Sequence, residues 1–130
     1  MSIKNNTYAD VYKLITDNLG KTYLIGHTYN SNGWQAFTLF EFFGGRADGT
    51  YGKCLLGLYS KNAIMSKRIF NMSNIPIQVT LKDNELFVYA VLDSYCYFTA
   101  NILWESKFIV DMHEVSSIEG TLVWNNNWND

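Results

Sequence analysis

Histidine, cysteine, proline and charge are all scarce in this 130-residue chain. Two histidines (His27, His113) and two cysteines (Cys54, Cys96) lack the close ligand spacing of a zinc site, and no metal or other cofactor is expected. Neither histidine has a nucleophile motif beside it, so both are expected to be structural or surface residues rather than general bases. The cysteines lie inside apolar runs, where buried thiols are expected rather than a disulfide. Charged residues make up 17% of the chain, the net charge is -2, and the basic residues are scattered apart from Lys67-Arg68. Nucleic acid, which selects a basic stripe, is therefore not an expected partner. No run approaches the ~18 apolar residues of a membrane span, and Met1–Thr7 has no secretory signal core. With one proline (Pro76) and no repeat, low-complexity tract or charge block, nothing divides the chain into more than one domain.

What is abundant is aromatic and aliphatic surface. Hydrophobic residues form 48% of the chain and aromatics 16%, chiefly nine tyrosines and eight phenylalanines. Such residues suit pleated, packed surfaces. In the run Trp34–Phe43, alternation puts Trp34, Ala36, Phe40 and Phe42 on one face, with Phe37, Leu39 and Phe43 on the other. Leu86–Leu92 and Tyr95–Trp104 are likewise apolar on both faces, whereas a half-solvated antiparallel strand alternates apolar with polar. A second sheet is expected to cover one face and another subunit the other. Ile75, Ile77, Val79 and Leu81 against Gln78, Thr80 and Lys82 read as a conventional amphipathic strand.

Turn signals separate eight to ten short strands. They are Asn30–Gly33, the glycine-rich Gly44–Gly52, Lys82–Glu85 and Asp93-Ser94. The spacing predicts an all-β fold, an antiparallel β-sandwich of jelly-roll-like winding, over residues 21–130. Residues 1–20 are expected to form an N-terminal connector. Within it, Tyr8, Val11, Tyr12, Leu14, Ile15 and Leu19 fit a helical face about as well as a strand.

Catalytic signals are weak, and no catalytic residue is assigned. Gly44–Gly52 follows no nucleotide-binding spacing and opens no helix, so it reads as a hairpin loop. Carboxylates such as Glu41, Asp48, Glu114 and Glu119 fall mostly at turns and strand ends. A glycosidase pair needs no sequence proximity, so a small hydrolase remains one alternative. The tail Trp124–Asp130 sets two indoles around asparagines. Ring faces take the C–H side of a pyranose and amides both donate to and accept from hydroxyls. Trp124, Asn126 and Trp128, with Trp34 beside its turn, are the candidate ligand-binding residues. The competing reading is a core Trp124 and a solvated tail.

Three stretches together resemble the carboxyl-terminal receptor-binding, or head, domains of bacteriophage tail fibres. They are Gly20–Tyr29 leading to Trp34–Phe43, Gly52–Tyr59 after the glycine-rich loop, and the Leu81–Tyr89 hairpin running on to Tyr95–Trp104. The similarity is one of order and rhythm over residues 20–124. It implies a homotrimeric, non-catalytic β-sandwich in the virion tail, contacting a host cell-surface glycan or protein and other tail proteins. The second apolar face would then be a subunit interface about the fibre axis. The alternatives are a monomeric carbohydrate-binding module and a purely structural fibre-tip protein. No shaft-like repeat precedes the domain, a departure from the fibre pattern.

Overall fold

A computed structural model describes residues 10–15, 20–29, 35–61, 64–69, 75–93 and 95–126, with the strands at 10–15 and 64–69 described by backbone pairing. These residues form ten strands: β1 (Asp10–Ile15), β2 (Lys21–Thr28), β3 (Gln35–Arg46), β4 (Tyr51–Lys61), β5 (Ile64–Ile69), β6 (Ile77–Lys82), β7 (Glu85–Leu92), β8 (Cys96–Ser106), β9 (Phe108–Val115) and β10 (Thr121–Asn125). A front sheet, β1-β8-β3-β4-β5, packs on a back sheet, β10-β6-β7-β2-β9, and every pairing is antiparallel. The expected β-sandwich is the fold. The β1·β8 and β2·β7 pairs lie in different sheets, although β1 runs on to β2 and β7 to β8 along the chain. One antiparallel ribbon thus passes from sheet to sheet, in the jelly-roll manner.

The core lies where the alternation placed it. Ala36, Phe40 and Phe42 of β3 are fully buried, as are Phe98 and Ala100 of β8 and Val88 and Ala90 of β7. Phe40 stacks on Phe42 at 5.1 Å and meets the edge of Phe108 at 5.3 Å, while Phe42 lies 5.5 Å from Phe98. Such pairs add about 0.5–1.5 kcal/mol each beyond their area burial. Cys54 and Cys96 are free, buried thiols in this core. Burial pushes the Cys54 thiol up to about 11, as expected when a thiolate would have to form among apolar neighbours.

Two turns carry clear local causes. Asp83 and Asn84 both have positive φ, 52° and 64°, and form the two-residue loop between the Lys82↔Glu85 pair. Positive φ at both central positions is the hairpin turn whose twist matches its strands. The glycine-rich loop is indeed a hairpin, tighter than expected. β3 and β4 extend to Arg46 and Tyr51, and Arg46 N–H donates to Thr50 O at 2.8 Å. Thr50 N–H donates to Asp48 Oδ1 at 2.8 Å, and this bond holds the Asp48 carboxyl below its usual range.

Other expectations change. The connector is extended and is more than a connector. Asp10–Ile15 pairs with β8 from Asp10↔Ile102 to Ile15↔Tyr97, forming an edge strand of the front sheet. Backbone pairing to an existing strand favours the extended alternative that the apolar pattern left open. Asp93 begins a crossing between sheets rather than a hairpin, since β7 and β8 lie in opposite layers. The Asn30–Gly33 turn lies outside the described residues.

β2 carries a bulge between Leu24 and Gly26 against both of its neighbours. A Cβ at Gly26 would collide with the Ile109 carbonyl oxygen and lie 2.7 Å from the Phe108 ring, so only glycine fits there.

Candidate recognition and assembly surfaces

The outer face of the front sheet is built from the alternate residues that the core rejects. Cross-strand pairing sets them in rows: Tyr59 beside Phe37, Leu55 beside Glu41 and Asn101, Lys53 beside Phe43 and Thr99, and Tyr51 beside Gly45 and Tyr97. Phe37 is 37% exposed, Phe43 43%, Tyr97 57% and Tyr51 75%. The Tyr97 ring lies across Gly45, where a Cβ would stand 2.6 Å from its hydroxyl oxygen. Two depressions of about 200 Å³ flank Phe43.

A bulge extends this face. Leu39 pairs with Trp104 and Phe40 with Ile102, so Leu103 is the extra residue. Strict alternation after Ile102 would send Trp104 inward. The extra residue re-aims it, leaving Leu103 and Trp104 both exposed. At the centre of the face Asn101 Nδ2 donates to Glu41 Oε1 at 2.8 Å, and Asn101 Oδ1 has no partner among the described residues. No described segment crosses this sheet.

The back sheet is different because the chain covers it. β9 and β10 are its opposite edges, and the connection between them runs over the outer face. Glu119 N–H donates to the Tyr89 hydroxyl at 3.3 Å and Thr80 Oγ1 donates to Glu119 O at 2.6 Å. Tyr89 and Thr80 point outward from their strands, yet are only 3% and 1% exposed. Lys82 Nζ pairs closely with Glu119 Oε1, holding the Glu119 carboxyl below and the Lys82 ammonium above their usual values.

Beneath this connection a cleft of about 380 Å³ opens between β7, β9 and residues 115–119. Its apolar side is Leu24, Phe87 and Val115. Phe87 stacks with His27, ring centroids 4.9 Å apart and planes 20° apart. His27 Nδ1 donates to Thr28 O at 2.8 Å and lies 3.3 Å from Glu85 Oε1, the structural role expected for it. The polar side of the cleft includes Glu114, Glu119, Ser116 and Ser117. Glu114 Oε1 is 3.8 Å from Lys21 Nζ across an exposed edge. His113 also lines the cleft, and Asp111 O lies 3.0 Å from its Nδ1, so a bond to a ligand would run through Nε2.

Of the residues singled out from sequence, Trp124 and Asn126 lie among the described residues. Trp34 and Trp128 lie outside the described residues. Trp124 is half-buried against the core from β10. Asn126 is 6% exposed, with its Nδ2 donating to Ile75 O at 2.9 Å and its N–H to Ile77 O at 2.9 Å. Its side-chain nitrogen is thus bonded to the segment leading into β6 rather than turned to solvent. The surfaces described above instead present Trp104, Tyr51 and Tyr97 on the front face and Phe87 and Tyr89 on the back, none of them singled out from sequence as ligand-binding. The doubled apolar faces signalled the first group, but no local motif marks the second. Among the described residues no cluster of three or more potential metal ligands occurs. No protein-family model, curated protein or solved structure matches the chain.

Proposed function

We propose that this chain is a non-catalytic recognition domain of a bacteriophage tail, assembling as a homotrimer through the front sheet and attaching to a host cell-surface glycan or protein. The carrying observation is the exposed apolar face of Phe37, Phe43, Tyr51, Tyr97, Leu103 and Trp104, which no described segment crosses. The 46 strand residues of the front sheet, at about 4.8 Å spacing and about 3.3 Å rise, span roughly 730 Å². The whole face is close to the about 800 Å² that one partner gives to a standard interface, and a trimer divides it between two contacts. Around a three-fold axis the contact is heterologous. The β8 side, with Tyr97 and Trp104, would meet the β4 side of the next subunit, with Tyr51, Leu55 and Tyr59. The back sheets would then face outward. The resemblance to tail-fibre head domains in the order and rhythm of the sequence over residues 20–124 supports the virion assignment.

A monomeric carbohydrate-binding module is the second reading, favoured by the depressions flanking Phe43, where exposed rings offer stacking platforms. Labelled protein on bacterial surfaces separates the two. Trimeric attachment gains about 10²–10⁴ in avidity over a single site, so a monomeric Trp104→Lys variant should lose most surface staining. Equal staining by variant and wild type at equal subunit concentration would remove the trimer from the mechanism.

A further inference from the structure

The back-sheet cleft has features that folding alone does not require. It sits on a sheet face that the Ser116–Gly120 connection crosses, and its apolar side is a phenyl ring fixed by stacking on His27. Tyr89 contributes a hydroxyl from a residue only 3% exposed. That oxygen accepts from Glu119 N–H, and among the described residues no acceptor takes its own proton. A buried, oriented O–H at the base of a cleft is a donor held ready for a ligand oxygen. Glu114 and Glu119 also line the cleft, their carboxylates acceptors for ligand hydroxyls beside their lysine pairs, with the Ser116 and Ser117 hydroxyls able to do either.

We infer that this cleft is a binding site for a neutral hexopyranose, the Phe87 ring taking the C–H face of the sugar while Tyr89, Glu114 and Glu119 bond its hydroxyls. The lining of the site selects the class. Its two carboxylates are each paired with a lysine, Lys21 and Lys82, and no lysine or arginine lines the cleft among the described residues to draw a sialylated or phosphorylated sugar, whereas an uncharged hydroxyl-rich ring meets acceptors. Its volume of about 380 Å³ falls at the small end of the roughly 300–1,000 Å³ typical of ligand pockets. That fits one sugar unit of a longer chain rather than an oligosaccharide groove. The inference rests on the recognition reading above and gives it a location. With the front sheets turned to the axis, three such clefts face outward, and multivalency offsets weak single-site binding.

The test is an amide-shift titration of isotope-labelled protein with methyl glucopyranoside, methyl galactopyranoside and N-acetylglucosamine. At least one sugar is expected to shift the amides of Glu114, Ser116 and Ser117 with millimolar affinity. Glu114→Gln and Tyr89→Phe preserve side-chain shape, and each is expected to weaken binding about tenfold or more, a loss of ~1.4 kcal/mol, with unchanged circular dichroism and molar mass. Silence of the cleft amides with all three sugars overturns the site, as does wild-type affinity in both variants. The cleft belongs to a single chain, so Trp104→Ala should leave this monovalent affinity unchanged. Loss of binding in Trp104→Ala would place the sugar elsewhere. A wild-type monomer that still binds in the cleft would remove the assembly and retain the site.

Discussion

Trp104 is 59% exposed and pairs with Leu39 beyond the β8 bulge, so Trp104→Ala opens no cavity in the core. Its effect on the stability of one subunit should stay within about 0.5 kcal/mol, as for surface substitutions generally. Its effect on assembly should be large. A tryptophan of roughly 250 Å² at 59% exposure still offers roughly 150 Å² to a partner. At about 25 cal/mol per Å², that is a ceiling near 4 kcal/mol per subunit. Buried interface tryptophans commonly cost about 2 kcal/mol or more when truncated. Three copies at about 2 kcal/mol lower the trimer association constant by roughly 10⁴-fold. Light scattering across a dilution series, beside urea unfolding of the same samples, reads both quantities. A Trp104→Ala protein that assembles as the wild type does on dilution would refute this use of the front face.

Further expectations concern the core, the cysteines and the crossing connection. Thr28 Oγ1 accepts from buried Leu86 N–H at 2.8 Å, so Thr28→Val orphans that donor and should cost about 1–3 kcal/mol in urea unfolding. Gly26→Ala must displace the Ile109 backbone and the Phe108 ring and should cost about 3 kcal/mol, the upper end of overpacking, lowering the thermal midpoint. Cys54 has a thiol raised from 9.0 to about 11 in the folded state. The unfolded chain therefore ionises first, and wild type should lose stability between pH 9 and 11 relative to Cys54→Ala. A constant difference across that window contradicts the burial. The Glu119 carboxyl is held low by Lys82, so its contribution is present above its ordinary value of 4.5 and lost as pH falls through the folded value. The protection of the 116–120 amides relative to their intrinsic exchange rates should fall there, and Lys82→Met should abolish the acid effect.

Much of the fold was legible because period-two alternation is strong where one face meets the core. Ala36, Phe40 and Phe42 point inward and Phe37 and Phe43 outward as the pattern required. Ile75, Ile77 and Val79 are likewise fully buried. Alternation says that a face is apolar but not what covers it. On the back sheet the chain's own connection shields Tyr89 and Thr80, so their burial needs no partner. On the front sheet no described segment does this. Two features break the period locally and were invisible for that reason. The Leu103 bulge turns Trp104 outward, and Ile25 is the extra residue that makes Gly26 obligatory. The cleft joins β7 to the 114–119 stretch, a contact set by strand order rather than by spacing. In the tail, composition does not reveal how a side chain is used. Asn126 has the chemistry of a sugar ligand, yet its amide is spent on the Ile75 carbonyl.

The measurement that bears most directly on assembly through the front sheet is the molar mass of the wild-type chain in solution, by size-exclusion chromatography with light scattering. A mass near three times the 15.0 kDa of one chain is the predicted result. A mass of one chain that persists at the highest soluble concentration would contradict it, leaving Phe43, Tyr51, Tyr97 and Trp104 open to solvent.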